Sequence, residues 1–135
     1  MKNKRVILDT NLWISFLISK RQKELDILLE SGAVTLIFSN ELIEEFLEVS
    51  ERPKFKKFFK KSEIKALLNL IENYSELITV ESRLTECRDS KDNFLLSLSI
   101  DGKADFLVTG DSDLLVLGKI KDTKIVTWQE FTSEQ

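Results

Sequence analysis

Arg5-Val6-Ile7-Leu8-Asp9-Thr10-Asn11 is the stretch whose reading decides the fold. Aliphatic residues run straight into an acid and two small polar residues, the pattern of a buried strand that ends in a turn and a helix cap. In open parallel α/β sheets the ligand crevice lies outside the carboxyl ends of the strands, so Asp9 stands where such a fold does its chemistry. A helix cap accounts for a single acid equally well. The meaning of Asp9 therefore depends on where the other acids fall.

The same rhythm continues outward. Leu12, Trp13, Phe16 and Leu17, then Leu25, Ile27, Leu28 and Leu29, recur at helical spacing and predict a helix or broken helix pair closed by Gly32. Ala33 to Phe38 reads as a second strand, with Ser39-Asn40 stopping it and capping a helix over 41–51. Pro53 punctuates, a helix follows over 62–76, and 77–80 is a weak third strand. Residues 81–91 are polar and loop-like. A largely buried helix is expected over 93–100, a fourth strand over 106–109, a short helical turn over 113–117, a fifth strand over 124–127 and a closing element over 128–131. Strands alternating with helices predict an α/β fold with a mainly parallel sheet covered on both faces.

With 135 residues, 42% of them hydrophobic, the chain is sized for one domain, 1–135, with a real core. Its four glycines and one proline leave no flexible linker, and no repeat is visible at solenoid periods. The basic opening is followed by an apolar run that breaks at Asp9, too soon for a secretory signal or a membrane span. A cytoplasmic protein without a membrane partner is expected. The lone Cys87 cannot form an internal disulfide, which agrees with a reducing compartment.

Histidine is absent, and that absence excludes Ser-His-Asp and Cys-His catalysis and His-ligated zinc. One cysteine excludes a thiolate zinc cluster, and no Walker loop or GxGxxG provides a phosphate cradle. Only carboxylates are abundant enough for catalysis. In a right-handed βαβ unit the helix amino end and the strand carboxyl end share one edge of the sheet. Asp9 and Asp111 follow strands, Glu45 lies early in the helix after the second strand, and Asp92 starts the helix before the fourth, so all four are delivered to that edge. On the 41–51 helix the stripe of Leu42, Ile43, Phe46 and Val49 leaves Glu45 at its margin and Glu44 and Glu48 opposite. Asp89 is near Asp92, but only Asp92 has the apolar helix pattern behind it. Crowded carboxylates repel and raise one another's pKa unless a cation neutralises them, and Mg²⁺ takes oxygen ligands without His or Cys.

A net charge of -3 argues against whole-surface attraction to nucleic acid. Local patterning differs: Arg52, Lys54, Lys56, Lys57, Lys60 and Lys61 fall within ten residues, interleaved with Phe55, Phe58 and Phe59. A short amphipathic helix with a solvated basic face is one reading. A backbone-tracking RNA surface is the other.

At Asp9-Thr10-Asn11, Glu45-Phe46, Asp92-Asn93-Phe94-Leu95-Leu96-Ser97 and Thr109-Gly110-Asp111-Ser112-Asp113 the chain resembles PIN-domain proteins. The nearest likeness is to the branch of toxin components in toxin-antitoxin systems, through Arg52-Pro53-Lys54-Phe55, Thr109-Gly110-Asp111-Ser112-Asp113-Leu114-Leu115 and Glu130-Phe131. The resemblance spans nearly the whole chain and implies a three-layer fold with a sheet of four to five strands in the order 3-2-1-4-5. It also implies a ribonuclease dependent on Mg²⁺ or Mn²⁺, with Asp9, Glu45, Asp92 and Asp111 as catalytic acids and metal ligands and Asp113 as a further acid. Asn11 and Thr109 would support the cluster through hydrogen bonds. An RNA substrate, an antitoxin protein and a homodimer follow as expected partners. The alternatives are a non-catalytic PIN-fold module that binds RNA or protein and, more remotely, a HAD-like phosphatase, which needs a second acid where this chain has Asn11. A receiver-type signalling domain would need an acid after the third strand, which ends at Val80.

Overall fold

The computed structural model describes residues 3–19, 22–58 and 60–133. The opening Met1-Lys2 and the aromatic Phe59 lie outside the described residues, as does the side chain of Leu17. The quoted stretch forms the central strand β1 (Lys4–Leu8) and runs into α1 (Thr10–Ser19) and α2 (Gln22–Glu30), the broken pair. β2 (Val34–Phe38) leads to α3 (Asn40–Ser50), α4 (Pro53–Lys56) and α5 (Lys61–Tyr74). β3 (Ser75–Leu77), α6 (Ser90–Asp101) and β4 (Phe106–Val108) follow. The chain closes with α7 (Ser112–Leu115), β5 (Lys119–Ile120), β6 (Thr123–Val126) and α8 (Trp128–Ser133).

The sheet order is β3-β2-β1-β4-β6-β5. β1 pairs in parallel with β2 and β4, β2 with β3 and β4 with β6, which is the expected 3-2-1-4-5 core. One strand was not foreseen. The two-residue β5 pairs antiparallel with β6 at the edge, because the tight turn Lys121-Asp122, with Lys121 at φ +51°, reverses the chain between them. Two other boundaries differ. β3 lies at 75–77 rather than 77–80, since its partner Phe38 ends β2 and pairs with Leu77. α6 begins at Ser90, not Asn93, because Asp89 supplies the cap three residues earlier.

Val6, Ile7 and Leu8 are buried, so the central strand is covered on both faces, as its unbroken apolar run requires. Trp13 and Phe38 meet at 5.6 Å between ring centroids, Phe16 and Trp128 at 4.9 Å, and Phe106 and Phe131 at 5.3 Å. The closing helix thus bridges α1 and β4. Burying a side chain of the size of Phe131 contributes roughly 2 to 3 kcal/mol. Among the described residues no helix is long and apolar enough to cross a membrane.

Candidate functional site

The site is anchored by the sheet itself. The ladder between β1 and β4 runs one residue further, with the Asp9 N–H donating to Val108 O at 3.0 Å, and Thr109 N–H likewise donates to Val126 O at 2.9 Å. Thr109 then joins two acids: its hydroxyl donates to Asp9 Oδ2 at 2.8 Å and accepts from the Asp111 N–H at 3.0 Å. The Asn11 N–H donates to Asp9 Oδ1 at 3.2 Å, so Asp9 also caps α1. Asp111 in turn accepts the Asp113 N–H at 2.9 Å and caps α7.

Two helices bring the other acids to the same edge. Ser39 caps α3, accepting the Leu42 N–H at 3.1 Å, and the buried Leu42, Phe46 and Val49 turn Glu45 toward the cleft while Glu44 and Glu48 stay exposed. Asp89 caps α6 through the Lys91 N–H at 2.8 Å, and Asp92 follows in the first turn at 5% exposure. The Asn93 side chain accepts from Cys87 N–H at 2.8 Å and donates to Cys87 O at 2.9 Å, which pins the loop leading into the helix.

Asp9, Asn11, Glu45, Asp92 and Asp111 line one cavity of about 430 Å³, whose apolar wall is Val49 and Leu95. The structure therefore brings together the four acids singled out from the sequence. Asp113 stands beside them without lining the cavity: carboxylate oxygens of Asp92, Asp111 and Asp113 lie within 4.8 Å of one another, and Arg88 Nη2 holds both oxygens of Asp113 at 3.1 Å. A larger groove of about 710 Å³ between residues 80–85 and α6 contains none of the four acids, so size does not pick the site. The basic stretch is not one helix. It is divided between α4, the turn after it and the first residue of α5, because the Pro53 start gives a helix of only four residues. Arg52 and Lys54 line the cavity with Phe55, whereas Lys56, Lys57, Lys60 and Lys61 are exposed elsewhere.

Burial pushes the Asp9 carboxyl above its ordinary range, and the bonds from Thr109 and Asn11 offset part of that rise. Burial also raises Glu45, with Lys91 pulling it down and Asp9 pushing it up. Asp92 is pushed up to about 6 by burial, by the charge of Asp111 and by a hydrogen bond to Asp111 that requires the neutral form. Such a set of oxygen donors, crowded until it retains protons, fits a hard divalent cation of the Mg²⁺ or Mn²⁺ type. Burial raises the Cys87 thiol, which keeps it protonated and a poor ligand.

The PIN-domain family model matches residues 5–113, a span that contains every one of these acids. The chain belongs to the PIN-domain family. A Methanocaldococcus jannaschii protein, MJ1680, is 30% identical over 117 residues, covering 84% of this chain and 74% of that protein. In fold, this PIN domain is similar to a chain in the crystal structure of VapBC2 from Rickettsia felis bound to a DNA fragment from their promoter, at a TM-score of 0.57 and 18% identity, covering 92% and 98% of the two chains. Members of the PIN family are generally nucleases.

Three charged neighbours of the PIN acids escaped the sequence reading as part of the site. Lys91 and Asp89 line the cavity, and Arg88 holds Asp113. The signal for Lys91 was present: a cation in the first turn of a helix opposes the helix dipole, so something else must favour it there.

Proposed function

We propose that the chain is a metal-dependent ribonuclease that hydrolyses RNA phosphodiester bonds and acts as the toxin of a toxin-antitoxin pair. The observation that carries this reading is the convergence of Asp9, Glu45, Asp92 and Asp111 on one cavity, three of them holding protons above their ordinary range. These four acids would hold Mg²⁺ or Mn²⁺, with Asp113 available once Arg88 releases it. A divalent ion bound there would supply an acidified water as nucleophile and Lewis-acid stabilisation of the leaving oxygen. That chemistry stands in for the missing histidine base.

The chain's own groups do the rest. Thr109 and the Asn11 backbone fix both oxygens of Asp9, so that acid meets the ion without reorganising. Val49 and Leu95 exclude water from one wall. Arg52 and Lys54 at the cavity draw in the RNA backbone, and Lys56, Lys57, Lys60 and Lys61 extend the positive path away from it. Against a net charge of -3, this local patch is what steers a polyanion to an acidic cleft. Family membership and the fold shared with VapBC2 support the toxin role, which entails an antitoxin segment laid over the cavity, a homodimer and a cytoplasmic setting. The whole of 1–135 is read as a single nuclease domain.

The test is incubation of assorted RNAs with the wild type and Asp92→Asn, with Mg²⁺, Mn²⁺ or EDTA. Cleavage by the wild type in either metal, abolished by EDTA and reduced at least about 100-fold by Asp92→Asn with folding intact, is the expected result. RNA that is bound but never cut after Mn²⁺ addition identifies a binding module instead.

A further inference from the structure

Lys91 occupies an unusual place among the cations near the cleft. Arg52 is engaged by Glu48 at 3.1 Å, Arg88 by Asp113, and Lys54 lies over the Phe55 ring at 5.4 Å from its centroid. Lys91 lines the cavity and has an acid of the cluster as its partner, with Nζ 3.8 Å from Glu45 Oε1. That separation is the loose end of an ion pair, and the lysine side chain remains 59% exposed. Its backbone is nonetheless fixed, because its N–H is the donor that Asp89 uses to cap α6. A cation at this helix end is locally unfavourable, because it opposes the helix dipole. The nearby Glu45 carboxylate offsets that effect.

A divalent ion held by Glu45 would take over that neutralisation and leave the ammonium free. A flexible ammonium on a four-carbon stem, already in the cavity, then faces the phosphate that enters beside the ion. We propose that Lys91 is a catalytic residue that exchanges Glu45 for a non-bridging phosphate oxygen of the bound strand, an inference that rests on the nuclease reading above. Lys91 thus pairs with Glu45 in this structure and would pair with phosphate in the substrate complex. No bond to carbon or phosphorus is made or broken by it, and no proton is transferred.

The two roles predict opposite signs for one substitution. Lys91→Met removes a positive charge that competes with the ion, so metal-free protein titrated with Mn²⁺ and read by the free-ion resonance should bind about three- to tenfold more tightly. At saturating Mn²⁺ the same variant should cleave an unstructured RNA about 10- to 100-fold more slowly in single turnover. Lys91→Arg, which keeps the charge, should recover cleavage to within about fivefold of wild type. Cleavage by Lys91→Met within about twofold of wild type overturns the proposal, and so does Mn²⁺ affinity that is unchanged or weakened, which marks a merely structural lysine. Wild-type protein that binds Mn²⁺ and cuts no RNA sinks the nuclease reading, and this inference with it, by a separate observation.

Discussion

At the carboxyl edge of the sheet Asp9, Glu45 and Asp92 are pushed above their ordinary range, whereas at the other end, where β1 enters and α6 finishes, Glu76 and Asp101 are held below it. The cause at the first end is burial, reinforced by neighbouring acids, and at the second it is hydrogen-bond donors on acids close to solvent. Arg5 Nη1 donates to Glu76 Oε2 at 2.6 Å, and its Nε and Nη2 both donate to Gly102 O, at 2.9 and 2.7 Å. Asp101 accepts the N–H groups of Glu81 and Ser82 at 2.6 and 2.8 Å and the Ser82 hydroxyl as well. These acids tie the long loop and the last turn of α6 to the sheet. In the cleft, acid faces acid and burial outweighs the bonds that Asp9 receives. Charge at one end holds the chain together, and at the other it is kept in tension that a bound cation would relieve.

The substitution that separates the two ends most directly is Asp92→Asn, which also removes the most activity. The carboxyl has a pKa of 3.8 unstrained and about 6 in the fold, so between these values the folded chain carries the extra proton. Stability in EDTA therefore falls as pH rises from about 4 to about 6, and the loss persists above that window. Asp9 and Glu45, also raised, act in the same direction. Asp92→Asn should flatten the slope and leave the metal-free protein more stable at pH 7 by on the order of 1 kcal/mol. Added Mg²⁺ should stabilise the wild type more than the variant. Urea unfolding from pH 4 to 8 in EDTA measures this, and a variant less stable than wild type at pH 7 would place Asp92 among the structural acids.

At the other end, Gly102→Ala tests packing. A Cβ there would lie 2.7 Å from Ile37 Cγ2 and 2.9 Å from Leu98 O, so β2 or α6 must shift to admit it. The expected cost is about 1 to 3 kcal/mol of unfolding free energy, read as a lower urea midpoint at unchanged slope. Cleavage should stay within about twofold of wild type, because the strain falls at the far end of α6 from Asp92. A large loss of rate with little loss of stability would show that the two ends are coupled through the helix.

What the sequence revealed follows the range of the forces involved. The central strand and the inward turn of Glu45 were legible because apolar periodicity is written into adjacent residues, and the run Val6-Ile7-Leu8 can be buried only between two layers, whereas the sheet order came from the family resemblance. The convergence of Asp9, Glu45, Asp92 and Asp111 was legible because βαβ topology fixes which ends share an edge. β5 was not, since a two-residue strand has no period and depends on the turn at Lys121-Asp122. The start of α6 was missed because Asp89, set aside as a neighbour of Asp92, is the residue whose side chain captures the Lys91 N–H. Side-chain pairs such as Arg88 with Asp113, or Lys91 with Glu45, link distant stretches and leave no local pattern. The six basic residues misled in part: composition marked them as one face, and the short α4 split them.

The smallest effect is expected from Asp101→Asn, and it sharpens the contrast most. Asp101 has its pKa lowered from 3.8 by the Ser82 hydroxyl and by the N–H groups of the loop. A lowered carboxyl contributes stability above its unfolded value, and that contribution is lost as pH falls through the folded one, so the window lies below about 4. Because the group is near solvent, the loss at pH 7 should be under about 1 kcal/mol. The wild-type-minus-variant stability curve for Asp101→Asn should therefore be positive and flat above pH 5 and should shrink on acidification. The corresponding curve for Asp92→Asn should be negative above pH 6 and should shrink on acidification through that higher window. Two difference curves of opposite sign, bending in separate pH windows, are what a buried, acid-facing carboxylate and a donor-bound one close to solvent require. Curves of the same sign would mean that both ends are built the same way.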